Sequence, residues 1–119
     1  MLVVDAAHVV AATTPIDEVA RLLVEFRIPA VCIVDDATLL GVVTRTDVLA
    51  ATPNATAGDA MSTYVLALPA SAAIGRAAAM MAVERVGHVV VVGDDGGLVG
   101  LVSAVDIARH YAVIAGFNV

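Results

Sequence analysis

A seven-residue pattern occurs twice in this chain, as Gly41-Val42-Val43-Thr44-Arg45-Thr46-Asp47 and as Gly100-Leu101-Val102-Ser103-Ala104-Val105-Asp106. Each copy reads glycine, two apolar residues, a hydroxyl residue, two variable positions and aspartate. The two glycines and the two aspartates stand the same 59 residues apart. An Asp-Asp turn and a Leu-Leu or Leu-Val pair precede both copies, so the match extends beyond the heptad. Self-similarity held at a fixed period marks a duplicated structural unit. In a chain of 119 residues each unit is too small to bury a good core separately. The duplication therefore predicts two repeats, residues 1–57 and 58–119, that share a core and together make one domain.

Composition narrows what such a pair can do. The chain is 61% hydrophobic and 3% aromatic, with a net charge of −6. Proteins that grip single-stranded nucleic acid stack bases on aromatic side chains in a basic groove. Two Tyr, two Phe and no Trp on an acidic chain disfavour a general polyanion binder and leave room only for a local basic pocket. Every cationic side chain apart from histidine is arginine. Guanidinium makes planar, two-pronged contacts to phosphate or carboxylate, although arginine-heavy usage fits a coding bias as well.

Cys32 is the only cysteine, so no intrachain disulfide forms, which fits a reducing compartment. Met1-Leu2-Val3-Val4-Asp5 has no basic region and meets a charge early, unlike a secretory signal. The longest uncharged run, Ala60 to Gly75, is broken by Ser, Thr and Pro, and a bilayer span takes about 20 apolar residues. The expectation is a cytoplasmic protein that does not insert into a membrane.

Along the chain, Val9-Val10 reads as a short strand. Thr14-Pro15-Ile16-Asp17-Glu18 is a helix start: threonine caps, proline suits the first turn, and two acids sit at the positive end of the dipole. Ile16, Val19, Ala20, Leu23 and Phe26 recur at helical spacing and predict one buried stripe, closed by Pro29. Ala30 to Val34 and Leu39 to Val43 predict two strands about an Asp35-Asp36 turn. The first heptad ends the second strand and leads into a helix over Asp47 to Ala51, and Pro53 to Asp59 reads as a linker. The order then repeats. A strand over Val65 to Leu68 precedes a helical stripe of Ile74, Ala77, Ala78 and Met81. Strands over Val89 to Val92 and Leu98 to Val102 follow, and a helix runs from Asp106 towards Tyr111. The result is an α/β (α+β) chain of two βαββα units.

Thr44-x-x-Asp47 and Ser103-x-x-Asp106 are both of capping-box type, a hydroxyl at the helix cap and an acid three residues on. Such a box starts a helix with or without a ligand. The box prefers Glu or Gln, which reach back to the cap amide more easily, so aspartate in both copies points beyond capping. A helix start offers free N–H groups to a phosphate, and an ionised aspartate can accept hydrogen bonds from both hydroxyls of a ribose. Bonds to a charged partner contribute about 1.5–3 kcal/mol each.

With these motifs the sequence resembles a tandem pair of cystathionine-β-synthase (CBS) domains, a Bateman module, over about residues 9–51 and 65–111. Thr14-Pro15-Ile16-Asp17-Glu18-Val19-Ala20 and Ala60-Met61-Ser62 look like the family's helix start and repeat lead-in. The resemblance implies two repeats packed sheet to sheet about a pseudo-two-fold axis, leaving two related clefts, with modules commonly pairing into a homodimer. It implies that Asp47 and Asp106 grip ribose while Thr44 and Ser103 lie by phosphates. Adenine would slot between Val42 or Leu101 and backbone around Ile28-Pro29-Ala30 or Val86-Gly87-His88. Thr14 matches a position that faces the sugar. Where phosphate-binding members carry a basic pair before the second strand, this chain has Pro29-Ala30 and Gly87-His88, so only His88 can serve there. Arg45 and Arg109 are phosphate candidates or solvated helix-surface residues. A cleft with few basic groups suits one phosphate, or S-adenosylmethionine, better than ATP.

Nothing points to catalysis. His8, His88 and His110 are isolated without metal-ligand spacing, and no nucleophile lies in an arguable arrangement with a base. The sequence therefore reads as a sensor that binds AMP, ADP, ATP or S-adenosylmethionine and signals to a separate partner protein. The competing reading is a ligand-free dimeric scaffold of the same fold.

Overall fold

The computed structural model describes residues 4–119; the start of the amino-terminal stretch read above as unlike a secretory signal, residues 1–3, lies outside the described residues. The chain forms two compact units, Ala7–Val65 and Leu66–Val119, the second of which also takes the stretch ending at Ala6. The first contains β1 (Val9–Val10), α1 (Ile16–Glu25), β2 (Ala30–Asp35), β3 (Thr38–Thr44), α2 (Arg45–Ala50) and α3 (Ala57–Ala60). The second contains β4 (Ala67–Pro69), α4 (Ile74–Glu84), β5 (His88–Val92), β6 (Leu98–Ser103) and α5 (Ala104–Ile114). Each unit has a three-stranded sheet, ordered β1-β2-β3 or β4-β5-β6. The outer short strand runs parallel to the middle one, and the heptad strand antiparallel to it. The expected βαββα order is thus present twice.

Burial explains the elements. On α1 the stripe of Ile16, Val19 and Leu23 is buried against Val31, Ile33 and Val43 of the sheet. Phe26, expected on that stripe, is half exposed because the helix has already ended at Glu25. Arg27 then turns through a positive φ of 51°, two residues before the proline expected to close the helix. In the second unit Ala77 and Met81 of α4 pack on Leu68, Val89 and Val102. The middle strands β2 and β5 are apolar on both faces, and Val31, Cys32, Ile33, Val89, Val90 and Val91 are all buried, as their unbroken apolar runs require.

Three other expectations are corrected. Thr14 does not cap α1: Pro15 stands at the cap without any side-chain bond. The Thr14 carbonyl instead accepts the Ala57 N–H at 2.7 Å. The stretch read as a plain linker contains α3, started by its own capping box between Thr56 and Asp59. Finally, the last helix, expected from Asp106 towards Tyr111, runs from Ala104 to Ile114.

The heptad glycines have a specific task. In the first unit Val42 and Ser62 exchange backbone hydrogen bonds of 3.0 and 2.9 Å, so the lead-out from α3 crosses over β3. A Cβ on Gly41 would stand 2.5 Å from the Ser62 carbonyl oxygen. In the second unit Leu101 and Asp5 exchange the equivalent bonds, at 3.0 and 3.1 Å. A Cβ on Gly100 would collide with the Asp5 carbonyl oxygen and with Val4 Cγ1. Only a residue without a side chain admits a crossing strand at this distance.

Candidate functional site

Each heptad strand delivers its hydroxyl residue to a helix cap and its aspartate to the first turn. In the first copy the Thr44 N–H donates to Asp47 Oδ2 at 2.8 Å, and the Thr44 hydroxyl donates to the same oxygen at 3.0 Å. The Asp47 N–H donates back to Thr44 Oγ1 at 3.4 Å. In the second copy the Ser103 N–H donates to Asp106 Oδ2 at 2.9 Å and the Asp106 N–H to Ser103 Oγ at 3.1 Å. Both boxes are complete. Aspartate therefore closes the box here, contrary to the expectation that its shorter side chain fits poorly. Capping consumes Oδ2 and leaves Oδ1 as the oxygen able to do anything else.

The strand register brings several candidate residues to these caps. Ala30 is the cross-strand partner of Thr44, and His88 that of Ser103. Val42 and Leu101 are buried, each held by the crossing segment just described. Ile28 and Val86 are half-buried and lead into β2 and β5. His88 is only 6% exposed, so it belongs to the strand interior and not to a half-buried surface. Arg45 is exposed at the first position of α2. Arg109 faces Asp106, with Nη1 3.9 Å from Oδ1. Thr14 is not joined to either heptad by a bond in the described residues; its backbone serves the α1–α3 junction.

The two aspartates differ in what surrounds them. Asp47 lines a cavity of about 320 Å³ lying wholly within the first unit, with Ala50, Ala51, Thr52, Ala55 and Ala60 as its small-residue wall and Asp59 as its second acid. Among the described residues, Asp47 Oδ1 has no partner. Asp59 is turned to its own cap, where bonds from Thr56 hold its carboxyl below the usual value. Asp106 is nearly enclosed, its side chain 15% exposed. Side-chain hydrogen bonding to Asp106, partial burial and the charge of Asp106 raise the Asp5 carboxyl above its ordinary value, while Arg109 pulls it down.

Sequence reasoning missed Asp5, Ser62 and Asp59. The last was readable, since Thr56-x-x-Asp59 repeats the hydroxyl-x-x-acid spacing of both heptads; the other two become visible only once the crossing segments are in place. Among the described residues, no three His, Cys, Asp or Glu side chains are grouped to hold a metal ion. No helix there is long and apolar enough to cross a membrane. Burial pushes the Cys32 thiol up to about 11, which makes it a poor nucleophile.

The CBS-domain family model matches residues 3–54 and 57–113. Among solved structures, CBSX2 in complex with AMP is 29% identical, with a TM-score of 0.81 over 92% of this chain and 90% of that one. A CBS-domain containing protein from Agrobacterium tumefaciens is 25% identical, with a TM-score of 0.80 over 91% of this chain and 85% of that one. The cytosolic domain of the Mg2+ channel MgtE in complex with ATP is 24% identical, with a TM-score of 0.73 over 87% of this chain and 44% of that one, a likeness of fold alone. No curated protein matches the chain.

Proposed function

The chain belongs to the CBS-domain family, and from that premise we propose that it is a regulatory module that binds an adenosine-type ligand and passes the bound state to a partner protein. The observation that carries this reading is Asp47. Its carboxylate is fixed by the Thr44 cap through Oδ2, which leaves Oδ1 out of the cap, and the residue lines a cavity; a free carboxylate oxygen is what accepting a ribose hydroxyl requires. The AMP in the CBSX2 complex, a structure like this chain over nearly all of both lengths, supports an adenosine ligand. AMP, ADP, ATP and S-adenosylmethionine are the ligands to try.

Titration calorimetry and thermal melting with that panel test the reading. Ligand at 100 times its Kd adds about 2.7 kcal/mol of stability. Asp47→Ala, which leaves the helix with a weaker cap but removes the acceptor, is expected to abolish that gain. No shift with any ligand would leave the scaffold reading standing. One observation favours that second reading: Leu49 of α2, Val83 of α4 and Ile114 of α5 are large apolar side chains that are 87%, 80% and 68% exposed. Such surface suits pairing with a second copy, and light scattering on the ligand-free protein reports it.

A further inference from the structure

We propose that the turn into α4 is a docking site for an extended, small-residue, acidic segment of a separate protein, which lies there as residues 55–58 lie on the turn into α1. The inference goes beyond the nucleotide reading above and does not depend on it.

The two units build the same turn. Val9 pairs with Cys32 and Ala67 with Val90 on the middle strands, so Ala12, Thr14 and Ile16 correspond to Ala70, Ala72 and Ile74. The turn closes alike in both, by the Thr14 N–H to the Ala11 carbonyl and the Ala72 N–H to the Pro69 carbonyl, each at 3.0 Å. In the first unit the segment after α2 then takes three backbone groups. The Ile16 N–H donates to the Ala55 carbonyl at 3.0 Å, while the Thr14 carbonyl accepts from Ala57 at 2.7 Å and the Ala12 carbonyl from Gly58 at 2.8 Å. In the second unit, among the described residues, the Ile74 N–H and the Ala70 and Ala72 carbonyls have no such bonds. Side-chain burial agrees: Ile16 is 6% exposed, clustered with Ala55 and Ala57, whereas Ile74 is only half-buried.

The sequence explains the difference. Pro53 keeps the chain after α2 from continuing as helix and lets it return over the turn. The second unit has Ala112 at the position 59 residues on, and α5 runs through it to Ile114. A backbone edge with unpaired donors and acceptors is a template for an added extended peptide. Its shape selects small residues: a Cβ on Gly58 would stand 3.0 Å from Ala12 Cβ, and Ala70 keeps an alanine at that place. Its charge selects an acid. Asp17 and Glu18 occupy the first turn of α1, but the first turn of α4 has neither an acid nor a side-chain cap and carries the exposed Arg76. A carboxylate arriving there meets the positive end of the helix and a guanidinium.

The probe is a synthetic peptide of residues 52–61, the chain's own covering segment, titrated into the isotope-labelled full chain and followed by NMR, with circular dichroism checking that each variant is folded. Amide shifts are expected at Ala70, Ala72 and Ile74 at peptide concentrations up to about 1 mM. Ile74→Pro removes the N–H at a first helical position, where proline is tolerated, and is expected to abolish the shifts. Ile74→Ala loses the same side chain but keeps the N–H, and is expected to retain them. Arg76→Glu is expected to weaken binding about threefold. No shifts up to about 1 mM, shifts confined to Ala12, Thr14 and Ile16, or equal binding by Ile74→Pro would overturn the proposal. A dimer seen by light scattering that Ile74→Pro alone dissociates would also overturn it, by seating a second copy of this chain at the turn. No nucleotide is present in these titrations, so their failure leaves the ligand reading untouched.

Discussion

Asp47 and Asp106 leave the same strand–helix corner with the same capping bonds, yet one faces a cavity and the other a neighbouring carboxyl and a guanidinium. The shared part is local. Thr44 and Ser103 each bond an aspartate three residues on, and any chain with this tetrapeptide after a strand would do so. The difference comes from residues distant in sequence. Ser62 lies beside the first corner and Asp5 beside the second, and neither belongs to the heptad it touches. A repeated motif can therefore conserve its geometry while its chemistry is set by whatever crosses it.

The largest effect should come from breaking the crossing itself. Gly100→Ala places a Cβ against the Asp5 carbonyl. Overpacking costs about 1–3 kcal/mol, and the two backbone bonds lost would add about 1 kcal/mol each. Gly41→Ala should behave alike, since its Cβ meets the Ser62 carbonyl at 2.5 Å. Urea unfolding measures both, and a neutral result at either glycine breaks the claim that the two crossings are alike.

A smaller loss is expected at the caps. Thr44→Ala and Ser103→Ala should each destabilise by about 1 kcal/mol. Near-equal values would sharpen the view that capping is the part the copies share, whereas a loss confined to one copy would contradict it.

The pH dependences are smaller still and have opposite signs. Asp5 binds its proton more tightly folded than unfolded. Its contribution is complete below the ordinary value of 3.8 and fades as pH rises through the raised folded value. Asp5→Ala should flatten that part of the stability–pH curve. Asp59 is held low by its cap, so its contribution is present above 3.8 and lost as pH falls through the folded value. Stability of Asp59→Ala measured down to acid pH should lack that decline. If Asp5→Ala keeps the wild-type slope while Asp59→Ala removes it, the Asp5–Asp106 contact is not made in solution.

Much of the fold was legible because its causes are close in sequence. The apolar stripe of Ile16, Val19 and Leu23 and the runs around Val31 and Val90 carry their periodicity on the surface of the sequence. Element ends were less legible. The helix α1 stops at Glu25 because the chain turns at Arg27 with positive φ, a conformation that arginine does not advertise as glycine would. Thr14 looked like a cap, but a carbonyl bond to Ala57 uses its backbone in a contact with α3, and α3 had been read as linker.

From residues alone came the duplicated unit, its strand–helix order, and the two hydroxyl–aspartate caps, since each is decided by bonds or burial patterns within a few positions. Tertiary structure decided which charged groups stand near each aspartate. The second heptad strand is crossed by Asp5 from nearly the other end of the chain, through backbone pairing between Asp5 and Leu101, and nothing written beside Asp106 announces that crossing.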